Sequence, residues 1–215
     1  MSSRDVVLID YGLGNMLSVR RGLERCGGCV TVSGDPAVIR AVVRVVLPGV
    51  GAFADGMAGL RRHGLDDVVR EVAARGAPLL GICLGMQMLL DESEKFGRSA
   101  GLGLIPGGII PIPRSDPDGT PVKIPHIGWN SLIPAEGRAN WRGTPLEPIK
   151  TGEAAYFVHS FMAAPTDPNH RIADCQYGGV RVSAAVGRDN IFGCQFHPEK
   201  SGEAGLKILG AFLRL

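Results

Sequence analysis

Residues 78–90 read Pro78-Leu79-Leu80-Gly81-Ile82-Cys83-Leu84-Gly85-Met86-Gln87-Met88-Leu89-Leu90, and this stretch decides the fold. Pro78–Ile82 is a short apolar run bounded by turn residues, the pattern of a strand buried on both faces. A helix is predicted to run from Leu84 through Gln87 to Leu90. Between the two, Gly81-Ile82-Cys83-Leu84-Gly85 has the G-x-nucleophile-x-G layout of a nucleophile elbow, with cysteine as the nucleophile. Its glycines leave room for a sharp turn that lifts the side chain out of the sheet. The following helix would aim its N-terminal dipole at the sulfur, and the Leu84 N–H would point at a developing oxyanion. The competing reading is a buried cysteine in a glycine-flanked turn.

The chain upstream alternates strands and helices. Val6–Asp10 is a continuous apolar run ending in a polar residue. Met16–Cys26 has apolar residues at helical spacing, and Cys29–Ser33 is a second strand. Asp35-Pro36 opens a short helix with Asp as N-cap and Pro at its first position. Val42–Leu47 is predicted as a third strand and Leu60–Arg75 as one helix. This alternation argues for a parallel sheet with helices on both faces. Downstream, strand-like runs from Leu104 to Phe161 alternate with Pro- and Gly-rich turns. Arg171–Tyr177, Val180–Val186 and Asn190–Phe196 read as an antiparallel meander. A last helix is predicted from Ser201, as N-cap, to Leu213. The expectation is an α/β fold whose mixed, mostly parallel central sheet is flanked by helices, with an antiparallel strand-rich second half, all in one domain over 1–215.

Bulk properties narrow the function classes. Hydrophobic residues make up 45% and charged residues 20% of the 215, an ordinary globular balance that excludes a disordered chain. The 31 Gly and 15 Pro exceed the usual share and imply many tight turns. Lys and Arg number 23 against 21 Asp and Glu, for a formal charge of +2. The basic residues are scattered, which argues against a nucleic-acid partner. No apolar run approaches the roughly 20 residues that span a bilayer. The N-terminus, Met1-Ser2-Ser3-Arg4-Asp5, has no signal-peptide layout, so a cytoplasmic location is expected. Five cysteines argue against a disulfide framework. Cys26-Gly27-Gly28-Cys29 resembles half a zinc site or a redox dithiol, but it has no second pair nearby. Its glycines also fit a helix end leading into a strand. No metal and no cofactor are expected.

A nucleophilic cysteine needs a base, and the base needs an orienting group. His63 ends an Arg-rich helical stretch and His170 lies in a Pro-Asn turn, both read as surface residues. His126 sits in a Pro-flanked loop with no assigned role, and His159 at a strand end has at least as strong a structural reading. His197 ends the last strand and is followed by Pro198-Glu199. In extended geometry residues i and i+2 project to the same side, so His197 and Glu199 can pair from one short segment. Cys83, His197 and Glu199 would then form a triad at the carboxyl edge of the sheet, where open α/β sheets place their sites. Cys194 lacks elbow glycines and a following helix and reads as a small buried hydrophobe.

Gly81–Gln87 together with Gln195-Phe196-His197-Pro198-Glu199-Lys200-Ser201 resembles the class I, triad-type glutamine amidotransferases. Four further stretches are similar to the glutaminase subunits of imidazole glycerol phosphate synthases within that family. They are Asp10–Asn15, Pro48–Phe53, Lys123–Asn130 and Tyr156–Ser160. The likeness runs through essentially the whole chain in order; Cys194 departs from it, standing where the family more often has Val.

The resemblance implies that Cys83 forms a glutamyl thioester, that His197 relays the proton, and that Glu199 holds the imidazole. It also implies a second oxyanion donor at the Val50 N–H, and a glutamine site made by Gly51, Gln87 and the backbone around Ser160 and Phe161. It implies a (β/α)₈-barrel cyclase as heterodimeric partner. The cyclase would take up the ammonia to make imidazole glycerol phosphate and aminoimidazole carboxamide ribotide in histidine biosynthesis. Asn15, Lys123, Trp129, Asn130, Tyr156 and Lys200 would lie at or near that interface; for Trp129 the other reading is an ordinary core aromatic. Two further classes are weighed. A different enzyme on this scaffold, a pyridoxal-phosphate synthase glutaminase or a cysteine peptidase, is opposed by the Lys123–Asn130 and Tyr156–Ser160 stretches. A binding protein with a vestigial site is opposed by the intact triad.

Overall fold

The computed structural model describes residues 4–94 and 97–215. The first half lays down β1 (Asp5–Ile9), α1 (Met16–Arg25), β2 (Cys29–Ser33), α2 (Pro36–Ala41), β3 (Val45–Leu47), α3 (Phe53–Arg62), α4 (Leu65–Ala74), β4 (Leu79–Ile82) and α5 (Leu84–Met88). Short strands follow: β5 (Leu90–Ser93), β6 (Ser99–Ala100), β7 (Ile105–Pro111), β8 (His126–Ser131), β9 (Ile133–Pro134), β10 (Ala154–His159) and β11 (Phe161–Pro165). The meander β12 (Arg171–Tyr177), β13 (Val180–Arg188) and β14 (Ile191–Cys194) leads to α6 (Gly202–Phe212).

The central sheet has the order β2-β1-β3-β4-β14-β13-β12-β9. Strands β2 to β14 in that order pair parallel, and β13, β12 and β9 continue antiparallel. Period-2 alternation divides β1 between two cores. Val6 and Leu8 pack with Leu23 of α1 and with Ile208, Leu209 and Phe212 of α6 on one face. Val7 and Ile9 pack with Ile39, Leu60, Val69 and Leu79 on the other. A two-stranded ribbon, β10-β8, and a four-stranded sheet, β11-β7-β5-β6, complete the fold.

Three predicted elements differ from those observed. The strand expected over Val42–Leu47 begins only at Val45, because the Arg75 guanidinium takes the Val42 carbonyl at 2.6 Å as α2 ends. The helix expected over Leu60–Arg75 is two helices, broken at Gly64, whose φ of 63° is left-handed. The helix expected from Leu84 to Leu90 ends at Met88. Leu102, Leu104 and Gly103 donate their N–H groups to the Met88, Leu89 and Leu90 carbonyls, and Leu90 enters β5.

The carboxyl ends of β1, β3, β4 and β14 share one edge of the sheet. Tyr11–Asn15, Pro48–Gly51, Cys83 and His197 follow those ends in turn. The predicted residues therefore meet because parallel strands release their chains at one edge.

Candidate active site

Cys83 is the turn between β4 and α5, with φ 54° and ψ −110°, a conformation that costs a side-chain-bearing residue about 1–3 kcal/mol. Its surroundings hold it there. Cys83 N–H donates to the Cys194 carbonyl at 2.7 Å, and its carbonyl accepts from Gln87 N–H at 3.1 Å. A Cβ on Gly85 would lie 1.8 Å from the Leu47 carbonyl oxygen, and one on Gly81 2.7 Å from Met86 backbone. Only glycines fit the elbow at these two places. With α5 just five residues long, the dipole expected behind the sulfur reduces to the N–H groups of a single turn.

His197 is fixed at three points. Its N–H donates to the Tyr156 carbonyl at 2.9 Å, and its carbonyl accepts from Ser201 Oγ at 2.6 Å. Its Nδ1 lies 2.8 Å from Glu199 Oε1, with both side chains buried. The predicted pairing across Pro198 is therefore formed. Burial alone would lower the imidazole pKa, but contact with Cys83 and Glu199 and their negative charges outweigh it, pushing the pKa up to about 9. Cys83 sits close enough to exert that influence without completing a hydrogen bond, since Nε2 has no hydrogen-bond partner among the described residues.

Cys83 and His197 line one cavity of about 450 Å³. All six residues expected to hold substrate or oxyanion, Val50, Gly51, Leu84, Gln87, Ser160 and Phe161, line it too, joined by Pro125, Val158 and His159. Glu199 lies behind His197, out of the cavity. The oxyanion donors are not poised in this structure. Leu84 N–H, expected to face the oxyanion, donates instead to the Gly49 carbonyl at 3.3 Å. Tyr11 OH anchors the same segment by donating to the Pro48 carbonyl at 2.9 Å.

Of the residues expected at a partner interface, three come together. Trp129 is 60% exposed, so the core reading of this aromatic fails. Its ring meets Tyr156 edge-on with centroids 6.0 Å apart, and Lys200 Nζ lies 6.0 Å from the Tyr156 ring centroid. Lys123 is exposed as well. Asn15 caps α1, accepting from Ser18 N–H at 3.3 Å. Asn130 is half-buried; it pairs across the ribbon with Ala155, and its amide donates to the Gln176 carbonyl at 2.7 Å.

Other residues carry weight that sequence reading did not assign. Gln195, fully buried, points its Nε2 at Cys83 Sγ (3.7 Å) and accepts from Gln87 Nε2 at 2.9 Å. The i, i+2 rule that paired His197 with Glu199 puts Gln195 on the same side of the strand and could have found it. Ser201 was expected to cap α6; its hydroxyl makes no cap bond there and instead holds His197 and accepts from Tyr156 N–H at 3.0 Å. His126 and His159 are both buried, and Cys194 is a buried apolar neighbour. Cys26 donates its thiol to the Leu206 carbonyl, whereas Cys29 is exposed on β2. Among the described residues no group of three or more His, Cys, Asp or Glu could hold a metal ion, and no helix is long and apolar enough to cross a membrane.

Residues 7–214 match the family model for glutamine amidotransferase class-I. A Legionella pneumophila (strain Lens) protein, imidazole glycerol phosphate synthase subunit HisH 1, is 47% identical over 210 residues, covering 98% of this chain and 99% of the relative. The subunit HisH of Halobacterium salinarum is 50% identical over 217 residues, covering 97% and 92%. Among solved structures, PurLQS from Thermotoga maritima superposes with a TM-score of 0.71 at 20% identity over 97% of both chains, a likeness of fold alone. With a family model matched nearly end to end and relatives at about half identity, the chain belongs to the class I glutamine amidotransferases, in the group of imidazole glycerol phosphate synthase HisH subunits.

Proposed function

We propose that this chain, acting over residues 1–215 as one domain, hydrolyses glutamine and supplies the ammonia to a cyclase subunit that makes imidazole glycerol phosphate and aminoimidazole carboxamide ribotide in histidine biosynthesis. One observation carries the reading: a strained cysteine and a Glu-held imidazole, on separate strand ends, face a single cavity lined by Gln87. The curated relatives bear the name of that synthase.

The chemistry follows from the proton's location. With the imidazole pKa at about 9, His197 carries a proton at neutral pH. The Cys83 sulfur attacks the side-chain amide carbon of glutamine, and His197 Nε2 delivers its proton to the leaving nitrogen as the C–N bond breaks. Ammonia departs and a thioester remains. His197, now neutral, takes a proton from water as that water attacks the thioester, releasing glutamate and returning the sulfur and the imidazolium. Glu199 holds the ring orientation throughout.

Each tetrahedral intermediate needs two N–H donors, from Leu84 and Val50. In the arrangement seen here the Gly49 carbonyl occupies Leu84, so the Gly49–Val50 peptide has to turn before the site works at full rate. Gly51 has a φ of 106°, a left-handed conformation that glycine adopts without strain and from which its backbone can reorient. A partner that stabilises the turned strand would keep glutamine from being consumed without an acceptor. The cluster of exposed Trp129 and Lys200 around half-buried Tyr156 has the composition of such a docking face. The reading carries a cytoplasmic location and a (β/α)₈-barrel partner with it.

The test is Cys83→Ala mixed with the cyclase. Glutamine-dependent product formation is expected to vanish while turnover on added ammonium continues. Surviving glutamine turnover would overturn the assignment of the nucleophile.

A further inference from the structure

The ribbon β8/β10 has two unlike faces. Its register pairs Ile127 with Val158 and Trp129 with Tyr156 on the outer side, and His126 with His159 on the inner side. Ile127, Trp129 and Val158 are exposed; His126 and His159 are 2% and 6% exposed. The His126 ring is clamped between Tyr177 and Phe157, with centroids 3.9 and 4.7 Å away.

The two imidazoles are joined, and their protons can be placed. His159 Nδ1 lies 2.8 Å from the Phe161 carbonyl. A carbonyl only accepts, so Nδ1 carries the proton and Nε2 must accept. His126 Nδ1, 3.0 Å from that Nε2, is therefore the donor. His126 Nε2 then accepts, facing the Asn130 amide at 3.5 Å. Both rings are neutral in this arrangement, as burial requires: it holds each pKa down at about 4. A second proton on either ring would set donor against donor. A charged His159 would also oppose the imidazolium of His197, whose charge His159 senses.

The chain of bonds continues to the nucleophile. The Phe161 carbonyl also accepts from Gln87 Nε2 at 3.4 Å. The same Nε2 donates to Gln195 Oε1 at 2.9 Å, which leaves Gln195 Nε2 to face Cys83 Sγ. Each link from Asn130 to the sulfur sets a donor against an acceptor. In such a network, breaking one link leaves its neighbours unpaired.

We propose that His126 and His159 are positioning residues that hold the Phe161 carbonyl and the Gln87–Gln195 amide pair in register with the outer face of the ribbon. This rests on the glutaminase reading. It adds that the two histidines set the geometry of the glutamine pocket and tie it to the surface that carries Trp129 and Tyr156.

The decisive comparison is His126→Asn against His126→Leu, each assayed for glutamine hydrolysis in the full complex with the cyclase. Asparagine keeps an N–H close to the place of Nδ1, whereas leucine keeps volume and loses the donor. His126→Leu is expected to lower kcat/KM for glutamine by about 10–100-fold, chiefly through KM, with asparagine restoring it to within about 5-fold of the parent. Equal impairment of both variants, or an unchanged kcat/KM in the leucine variant, would overturn the proposal. If the leucine variant does not fold, ¹⁵N spectra of the unmodified protein decide: both rings are expected as the Nδ1–H tautomer at neutral pH, and an Nε2–H tautomer for either removes the chain of bonds. Cys83→Ala in the same assay keeps the two readings apart. Absence of glutamine hydrolysis in the parent complex sinks the glutaminase reading and surviving hydrolysis in Cys83→Ala sinks the choice of nucleophile, whereas a dead Cys83→Ala beside an unaffected His126→Leu sinks only the positioning role.

Discussion

Leu84 N–H donates to the Gly49 carbonyl at 3.3 Å, so the loop after β3 fills the hydrogen-bonding site that an oxyanion would need. The contact is packed as well as bonded. A Cβ on Gly49 would come within 2.5 Å of Tyr11 Oη, 2.9 Å of Leu84 Cβ and 3.0 Å of Gly85 N. Gly49→Ala is therefore expected to push the strand off the elbow, destabilising the chain by about 1–3 kcal/mol and lowering glutamine hydrolysis. Urea unfolding and a steady-state assay measure both.

Glu199→Gln keeps the shape of the side chain and removes the charge that supports the imidazolium. The equivalent change in a Ser-His-Asp triad costs about 10⁴-fold, and a loss of at least about 100-fold in kcat is expected here. The His197 pKa should fall from its position at about 9, because Glu199 is one of the groups that raise it. Imidazole NMR titration of the parent and the variant reads that shift directly.

The raised pKa also predicts how stability depends on pH. The folded state binds the His197 proton more tightly than the unfolded chain does, where histidine titrates near its ordinary value of about 6.5. That contribution is complete below pH about 6.5 and is lost as pH rises through about 9. The thermal midpoint should drop between pH 7 and 10 by more in the parent than in Glu199→Gln.

Ser201 is 2% exposed and bridges His197 O and Tyr156 N. Ser201→Ala leaves both without that partner, at a cost of about 1–3 kcal/mol. Because the bridge fixes the backbone of the base, hydrolysis should fall together with the melting temperature.

Trp129→Ala tests the docking face. The side chain is 60% exposed, so stability of the free chain should change by less than about 0.5 kcal/mol. Affinity for the cyclase should weaken by about 2 kcal/mol, the loss typical of a central aromatic anchor. Unchanged affinity by calorimetry would move the interface elsewhere.

Short, covalently adjacent patterns were decisive in the sequence. The run Leu79–Ile82, the flanking glycines of Cys83 and the i, i+2 spacing of His197 and Glu199 are local facts, and local geometry makes them binding. A strand must alternate its side chains, and an elbow this tight excludes a Cβ at Gly81 and Gly85. From these and the strand–helix alternation the sheet, the triad and the cavity were legible. Element ends were not, because they depend on distant partners: Arg75 ends the segment at Val42, and the N–H groups of residues 102–104 end α5 at Met88.

What tertiary structure alone decided was how polar groups far apart in sequence share protons and hydrogen bonds. Nothing near Asn130 in the chain says that its amide donates to the Gln176 carbonyl. Nothing near His126 says that it is buried against Tyr177 and joined to His159. Leu84 N–H could be assigned to an oxyanion from the elbow motif, but only packing could place the Gly49 carbonyl on it. Covalent spacing fixes which side of a strand a residue faces. Which partner completes a buried hydrogen bond is settled when the sheets and loops close around it, since a buried donor left unpaired costs about 1–3 kcal/mol.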